Sequence, residues 1–201
     1  MSHTLAIAPV RHDAMRVTAL RLPGLVEITP LLLGDDRGWF TEMFRHDRFA
    51  ALAGPQHFVQ ENQSLSRQAG TIRGLHVQTA PMAQGKLVRC ATGAIFDVAV
   101  DLRHGSPTYG QWHGVELSAQ ACNQLWVPPG FAHGFCTLTP DTVVSYKVTA
   151  YYSARHDHGV AWDDPLIAID WPAIADPATL SAKDRAQPAL SALPFRLDWE
   201  G

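Results

Sequence analysis

Apolar and polar residues alternate at every second position through the middle of the chain. In the segment 96–102 the apolar residues share one phase, whereas Asp97 and Asp101 fall on the other. The segment 142–152 alternates in the same way, and Tyr146 is in phase with its buried-face valines. A period of two is typical of β-strands. The pattern predicts strands here, and the first is expected to be half-buried.

Turn residues separate further segments of the same kind. Strands are predicted over 71–78, 112–117 and 123–127, interrupted by the turns Gly105-Ser106-Pro107 and Pro128-Pro129-Gly130. A short helix is predicted over 45–53, ended by Gly54-Pro55, and a single helical turn near Ser181. Many closely spaced strands with little helix predict a mainly β fold, a jelly-roll sandwich or barrel with a few short helices.

Length and composition are those of one soluble domain. We expect the 201 residues to form a single unit, 1–201, with an N-terminal arm over about 1–23 and a C-terminal loop and helix segment over about 172–201. A net charge of −3 and scattered basic residues predict no nucleic-acid partner. The chain has three cysteines without metal-finger spacing and no apolar run of the ~18 residues that span a membrane. These features predict free thiols and a cytoplasmic location.

Candidate proton-transfer residues lie at the end of the strand-like segment 71–78 and shortly after it. His76 is preceded by Gly74, which permits close approach of a ligand to the backbone, and Lys86 opens the next apolar strand. Together with Arg73, these side chains would suit acid–base chemistry on an anionic ligand. The same spacing also fits a hydrogen-bonded core histidine and ordinary surface charges.

His133 belongs to a sequence that is half of a metal motif. Pro128-x-Gly130-x-x-His133 matches one half of the cupin metal motif. The other half requires His-x-His and a nearby Glu, but this chain has His76-Val77-Gln78 and then Lys86. Lysine must lose its proton to bind a metal, so the sequence predicts a metal-free pocket.

Two other candidates have equally good structural explanations. Tyr146 is predicted to be on a buried face, where its hydroxyl needs a polar partner, and a core tyrosine bonded to the backbone satisfies that pattern. Asp184 follows Ser181 at the third helical position, as in a capping box. Spacing alone does not decide whether either residue has a structural or a catalytic role.

Taken in order, the motifs resemble the dTDP-4-dehydrorhamnose 3,5-epimerase family, sugar-nucleotide epimerases with a cupin-like jelly roll. The resemblance runs from about Gly24 to Pro188. It is carried by Asp36-Arg37-Gly38-Trp39-Phe40-Thr41-Glu42, Gln60-Glu61-Asn62-Gln63-Ser64, Arg73-Gly74-Leu75-His76, Gly85-Lys86-Leu87-Val88, Phe96-Asp97-Val98-Ala99-Val100-Asp101, Gly130-Phe131-Ala132-His133-Gly134-Phe135, Trp162-Asp163-Asp164-Pro165 and Leu180-Ser181-Ala182-Lys183-Asp184.

The resemblance implies a catalytic role for four residues. The substrate would be a dTDP-linked 4-keto-6-deoxy sugar, whose C4 carbonyl acidifies the hydrogens on C3 and C5. His76 would be the base, with Asp184 orienting it and stabilising the imidazolium. Lys86 would stabilise the enolate. Tyr146 would return a proton on the opposite face of the ring.

The resemblance also implies the binding residues and the assembly. His133 would help to bind the ketone or sugar, and Arg73 the diphosphate. The residues that match family nucleotide contacts are Arg37, Phe40, Glu42, Gln60 and Asn62. The first three would come from the partner subunit of a homodimer. No cofactor and no metal are expected.

Three departures from the family pattern keep other functions open. Ala154 and Asp157 stand where the family usually has Pro and Glu, and Val77 where an aromatic residue is common. One alternative is therefore a C3-only epimerase or keto-sugar isomerase. From other classes, the alternatives are a non-catalytic sugar-nucleotide-binding module and a metal-dependent cupin oxygenase.

Overall fold

Two β-sheets form most of the protein. The structure, a computed structural model, describes residues 10–12 and 15–199, so residues 1–9, 13 and 14 of the expected N-terminal arm lie outside the described residues. The elements are β1 (Val10–His12), β2 (Met15–Ala19), β3 (Val26–Pro30), β4 (Leu33–Asp35), β5 (Gly38–Phe40), α1 (His46–Ala53), β6 (Gln60–Ser66), β7 (Ile72–Gln78), β8 (Lys86–Thr92), β9 (Ala94–Asp101), β10 (Arg103–His104), β11 (Trp112–Ser118), β12 (Gln124–Val127), β13 (Phe131–Thr137), β14 (Thr142–Val148), β15 (Asp157–Gly159), α2 (Ala182–Arg185) and β16 (Leu197–Asp198).

The sheets confirm the predicted jelly-roll sandwich. One has seven strands in the order β1-β2-β3-β12-β8-β14-β6, and the other has five in the order β11-β9-β13-β7-β15. Both sheets are antiparallel throughout the described pairings, and most neighbours in space are distant in sequence. The apolar cluster between the sheets includes Val88, Leu125 and Phe131, all at most 2% exposed.

Most of the local predictions are confirmed with small shifts. Helix α1 ends at Gly54, whose φ of 72° suits glycine. Strand β14 ends at Val148 and so does not continue to 152. The turn near Ser181 is α2, and the Ser181 hydroxyl accepts a hydrogen bond from the Asp184 N–H at 3.1 Å. The capping interpretation of this segment is therefore correct.

The prediction that the segment 96–102 is half-buried is wrong. Asp97 and Asp101 are 0% exposed, so β9 is buried on both faces. The chain after β15 covers the outer face of the five-stranded sheet, where residues such as Ile167 pack on Val98 and Val100. A buried carboxylate needs partners. Asp101 has them in Arg103, Ser106 and Thr108 at 2.6 to 2.8 Å.

The C-terminal segment contains a strand that the composition did not suggest. Strand β16 pairs in parallel with β10, and Leu193, Phe195 and Leu197 pack onto the outer face of the five-stranded sheet. The expectation of loop and helix over about 172–201 therefore omitted an element. The alternation of Leu193, Phe195, Leu197 and Trp199 was the available signal.

Strands β7 and β13 approach each other closely at Gly74. Its φ is +128°, and a Cβ there would lie 2.6 Å from the Cα of Gly134 on β13. The register between β7 and β13 shifts at this point, directly beside the paired residues His76 and His133. Glycine at position 74 is thus required by close backbone packing, and this packing places the two histidines opposite each other.

The cysteines and helices agree with the composition. Cys90, Cys122 and Cys136 are buried and free. Burial raises the pKa of Cys90 and of Cys136 to about 11, so these thiols are protonated at neutral pH. Within the described part of the chain, no helix has the length and apolar character needed to cross a bilayer.

Candidate active site

A cavity of about 230 Å³ is lined by strands of both sheets. Strand β7 contributes three residues, β6 two, and β8, β14, β15 and α2 one each. The described lining residues are Gln60, Asn62, His76, Val77, Gln78, Gln84, Lys86, Tyr146, Tyr152, Asp157 and Lys183. Five of the residues predicted from the sequence therefore line one cavity: Gln60, Asn62, His76, Lys86 and Tyr146.

A carboxylate orients the cavity histidine. His76 Nε2 lies 2.6 Å from Asp184 Oδ1, and the His76 side chain is one-third exposed while that of Asp184 is 5% exposed. Residues 76 and 184 are brought together because α2 packs against β7. The other ring nitrogen, Nδ1, is left for a ligand, so the imidazole is held ready to exchange a proton.

Asp184 is charged in spite of its burial. Burial by itself raises the pKa of this carboxyl, but the hydrogen bond and charge of His76, with the Ser181 hydroxyl and the Gly74 N–H, outweigh burial and lower the pKa of Asp184. A carboxylate in this state accepts the hydrogen bond of the His76 ring and fixes the orientation of the imidazole. Asp184 thus acts on His76 and also belongs to the cap of α2.

Lys86 is a buried ammonium at the floor of the cavity. Its Nζ donates a hydrogen bond to the His76 carbonyl oxygen at 3.3 Å, and the residue is 8% exposed. Burial lowers the pKa of Lys86 to about 8, opposed by the negative charges of Asp157 and Asp97 and reinforced by Lys183. Lys86 is therefore cationic at neutral pH but close to losing its proton.

Tyr146 faces the cavity from the sheet opposite His76. It is half-buried on β14, where it pairs with Asn62 of β6. Burial raises the pKa of the Tyr146 phenol, although the charge of Arg73 and a hydrogen bond with Asn62 act in the other direction. The phenol is thus protonated at neutral pH and can donate a proton.

His133 is not among the described residues that line the cavity. It is opposite His76 in the sheet, and its Nε2 lies 2.8 Å from Asp97 Oδ1, with both side chains buried. The second oxygen of Asp97, Oδ2, is buried and has no hydrogen-bond partner among the described residues. The structure therefore presents a second histidine–carboxylate pair beside the first.

The remaining predicted binding residues fall into two groups. Gln60 and Asn62 line the cavity and are joined by a hydrogen bond of 2.7 Å. Arg73 is exposed beside β6, where it donates to the Ser66 hydroxyl and the Leu65 carbonyl, both at 3.1 Å. Arg73 does not line the cavity, but its positive charge acts to lower the pKa of the Tyr146 phenol.

Arg37, Phe40 and Glu42 are not brought to this cavity by their own chain. Arg37 lies in the turn of the β4–β5 hairpin with its side chain 89% exposed, and Phe40 is 70% exposed at the end of that hairpin. Glu42 bonds to Arg48 at 2.9 Å. Expected nucleotide contacts therefore occupy an exposed surface of the described chain.

Several lining residues were not predicted from the sequence. Gln78 shares a strand face with His76, so the period of two could have revealed it. Lys183 forms an ion pair with Asp157, and Tyr152 hydrogen-bonds the same carboxylate, which raises the pKa of Tyr152. The partners in the Lys183–Asp157 contact are far apart in the sequence, so no local pattern predicts it. Val77, one of the departures, is a buried part of the wall.

The described donors do not form a metal centre. No group of three or more His, Cys, Asp or Glu side chains is placed to hold an ion within residues 10–12 and 15–199. The cavity instead contains a carboxylate-paired imidazole, a buried ammonium and a protonated phenol. This arrangement can remove a proton, stabilise the resulting oxyanion and return a proton from the other side.

A jelly-roll sandwich with such a cavity defines an acid–base enzyme of the isomerase class. The model of the dTDP-4-dehydrorhamnose 3,5-epimerase family matches residues 19–192. The chain belongs to this family.

Individual relatives agree over nearly their whole length. The dTDP-4-dehydrorhamnose 3,5-epimerase of Sinorhizobium fredii is 56% identical, covering 93% of this chain and 95% of the relative. The crystal structure of dTDP-6-deoxy-D-glucose-3,5-epimerase from Legionella pneumophila, in complex with dTDP-4-keto-L-rhamnose, is 42% identical with a TM-score of 0.88, covering 93% of this chain and 100% of that one. ChmJ, a 3'-monoepimerase from Streptomyces bikiniensis in complex with dTDP-quinovose, is 33% identical with a TM-score of 0.81, covering 86% of each chain.

Proposed function

We propose that this protein epimerises C3 and C5 of dTDP-4-dehydro-6-deoxyglucose to give dTDP-4-dehydrorhamnose, without a cofactor or metal. The observation that carries the proposal is the pairing of His76 with Asp184 at 2.6 Å on one sheet, with Tyr146 on the facing sheet and Lys86 in the same cavity. The matching family model and the Sinorhizobium fredii relative carry the name of the same reaction.

The chemistry at each carbon is a balanced proton exchange. His76 takes the proton from C3, the C–H electron pair forms the C3–C4 double bond, and the carbonyl electrons move to oxygen. The Lys86 ammonium stabilises the enolate oxygen, an interaction whose loss typically costs about 10²–10³ in kcat. Tyr146 donates its phenolic proton to the opposite face, and the carbonyl reforms. His76 then releases the abstracted proton to solvent and the Tyr146 phenolate takes one up from solvent, and C5 reacts in the same way.

The proposed binding contacts divide between two copies of the chain. Arg73 would hold the diphosphate, Gln60 and Asn62 the nucleotide, and His133 the ketone side of the sugar. Arg37, Phe40 and Glu42 would enter from the second subunit of a homodimer. The hairpin that carries Phe40 also exposes Trp39 and Leu33, at 58% and 56%, and exposed apolar patches are typical of protein interfaces.

The proposed location is the cytoplasm. The three cysteines are buried as free thiols, which is typical of proteins in reducing compartments. The proposed substrate, a nucleotide-linked sugar, is charged and would meet the enzyme in aqueous solution.

A C3-only epimerase is the second candidate, because a 3'-monoepimerase shares the fold and a third of the residues. One NMR experiment separates the candidates: chelated protein is mixed with dTDP-4-dehydro-6-deoxyglucose in deuterated water. We expect inverted product with deuterium at both C3 and C5. Label and inversion at C3 alone would identify the monoepimerase. Binding without label would indicate a non-catalytic module, and activity restored only by a divalent ion would contradict the metal-free mechanism.

Asp157 is expected to set the alkaline limit of activity. Burial lowers the pKa of Lys86 to about 8, and among the charges that oppose this shift the negative charge of Asp157 has the largest effect. In Asp157→Asn the ammonium loses this stabilisation, so Lys86 should deprotonate at lower pH and the alkaline limb of kcat/KM should move down by roughly one pH unit. Asp157→Glu keeps the charge and should keep the limb near its original pH.

Glu61→Gln is the matched control for that measurement. Glu61 forms an ion pair with Lys147 outside the cavity, with 2.6 Å between Glu61 Oε2 and Lys147 Nζ. Its substitution should leave the alkaline limb in place. An unchanged limb in Asp157→Asn would show that Asp157 does not govern the protonation of Lys86.

A further inference from the structure

The last described residues form an extended segment beyond the part that matches the family. The family match ends at 192, and residues 193–199 alternate between partly buried and exposed side chains. Leu197 and Asp198 pair with β10, and the Trp199 N–H donates to the His104 carbonyl at 3.0 Å. The segment therefore lies on the protein as a strand with one apolar face.

This apolar face covers the sheet directly behind the active-site histidine. Leu193, Phe195 and Leu197 pack on an apolar cluster that includes Leu75 and Val77, the neighbours of His76 on β7. Side chains alternate along a strand, so the neighbours of His76 are directed to the outer face of the sheet. The segment 193–199 thus supports the strand that presents His76.

Phe195 makes the most specific contact. Its ring lies 4.8 Å from that of His158, the middle residue of β15, and the preceding residue of β15 is the cavity carboxylate Asp157. Strand β15 has three residues at the edge of its sheet. Hydrogen bonds from Val160 N to Leu75 O, 3.2 Å, and from Thr79 N to His156 O, 3.0 Å, continue its pairing with β7. So short an edge strand depends on packing.

The far end of the segment is anchored by an arginine. The Arg103 guanidinium lies between the rings of Phe131 and Trp199, 4.2 Å and 4.1 Å from their centroids. Asp101 binds the same guanidinium at 2.8 Å on the buried side. Two aromatic faces and a buried ion pair make this a firm attachment.

We propose that residues 193–199 are a strap that positions β15, and with it Asp157, at the wall of the active-site cavity, with Phe195 as the positioning residue. The kinetic consequence rests on the proposed function, whereas the positioning of β15 does not. Deletion of the ring contact at Phe195 leaves β15 held by its backbone bonds to β7 and by the contacts of Asp157 with Lys183 and Tyr152, so the strand should open more often.

Amide hydrogen exchange tests the strap without reference to activity. In Phe195→Ala we expect the amides of Val160 and Thr79 to exchange at least ~10-fold faster than in the wild type, because local opening of β15 exposes them. Phe195→Tyr keeps the ring and should restore protection. Should the alanine variant fail to fold, Phe195→Leu removes only the ring stacking and serves for the same measurement.

Phe96→Ala is the matched control. Phe96 packs on the same outer face, 6.4 Å from the ring of Trp112 and 6.3 Å from that of Trp171, but β13 and β7 separate its strand from β15. The control should lose global stability and keep the protection of Val160 and Thr79 relative to the remaining core amides. Equal deprotection of these two amides in both variants would overturn the proposal.

Activity provides the second measurement. Displacement of Asp157 removes a negative charge from Lys86, so the alkaline limb of kcat/KM should move to lower pH in Phe195→Ala, in the direction expected for Asp157→Asn, and stay in place in Phe96→Ala. The titratable and charged groups that face Lys86 are Asp157 on β15, Asp97 on β9, Lys183 on α2, His76 on β7 and Tyr146 on β14. Among them, Asp157 is the one on the strand that Phe195 supports.

The two proposals fail in different ways. Wild-type protein that leaves the sugar nucleotide unchanged, with β15 deprotected in Phe195→Ala, contradicts the epimerase and supports the strap. Active wild-type protein with the same β15 protection and the same alkaline limb in Phe195→Ala supports the epimerase and overturns the strap.

Discussion

His76→Asn is expected to abolish both deuterium uptake and epimerisation. Without the His76 imidazole no base is positioned at the reacting carbons, so enolate formation and proton exchange at both carbons should be lost. A positioned acid or base typically contributes ~10²–10⁴-fold to the rate. The NMR assay in deuterated water measures the loss, with label at C3 and C5 and inverted product counted separately.

Tyr146→Phe separates the two events that His76→Asn removes together. His76 can still take a proton, exchange it with solvent and return deuterium to the same face. The variant should therefore keep some label at C3 or C5 while it loses most of the inverted product. This outcome requires that the phenol and the imidazole act from opposite sides, as their positions on facing sheets suggest.

Two substitutions outside the cavity control for the loss of a histidine and of a tyrosine hydroxyl. His113 is on β11, and the ring of Tyr109 contacts that of His104 edge-to-face. Neither residue lines the cavity. His113→Asn and Tyr109→Phe should keep both label and inversion near the wild-type rates. Native-rate exchange in His76→Asn would contradict its assignment as the base.

Asp184→Asn should fold normally and turn over poorly. The amide at position 184 still donates to the Ser181 hydroxyl, so the cap of α2 remains. The negative charge that stabilises the His76 imidazolium is removed, and asparagine can select the wrong tautomer of the imidazole. In other carboxylate–histidine pairs this change costs ~10⁴ in kcat. We expect a fall of at least about 10²-fold, measured as kcat together with Tm.

Asp176→Asn is the control for the capping role. Asp176 accepts a hydrogen bond from Ala178 N at 2.9 Å at the start of the short helix Pro177–Thr179, away from the cavity. It should change stability by no more than about 1 kcal/mol, the usual value of a cap, and leave kcat intact. An Asp184→Asn protein with a lower Tm and near-full activity would assign Asp184 to the cap alone.

The acid stability of the same pair gives an independent readout. The pKa of Asp184 is lower in the folded protein than its ordinary value of 3.8. The charged carboxylate therefore stabilises the fold above pH 3.8, and this contribution is lost as the pH falls through the folded-state pKa. Asp184→Asn lacks a titrating group here, so its stability should depend less on pH in that range.

The features that could be predicted from the sequence are those that depend only on residues close together in the chain. Alternation in the segments 71–78 and 142–152 identified the strands of His76 and Tyr146, because backbone geometry imposes a period of two on any half-buried strand. Ser181 followed by Asp184 predicted a capped turn in the same local way. The ordered motifs identified the family, since they carry the chemistry in short runs.

Only the tertiary structure decided which of these residues meet and which are buried. Asp97 and Asp101 alternate with apolar residues as exposed side chains do, yet both are 0% exposed, because they share the phase of Ile95 and Ala99, which pack in the apolar cluster between the two sheets. Asp157 and Lys183 form an ion pair across 26 positions, and His76 meets Asp184 across 108. Charge and burial depend on such distant contacts, which local periodicity does not contain. The sequence by itself therefore determined the strands, the motifs and the family, whereas the packing of the C-terminal chain onto the five-stranded sheet decided the electrostatics of the cavity.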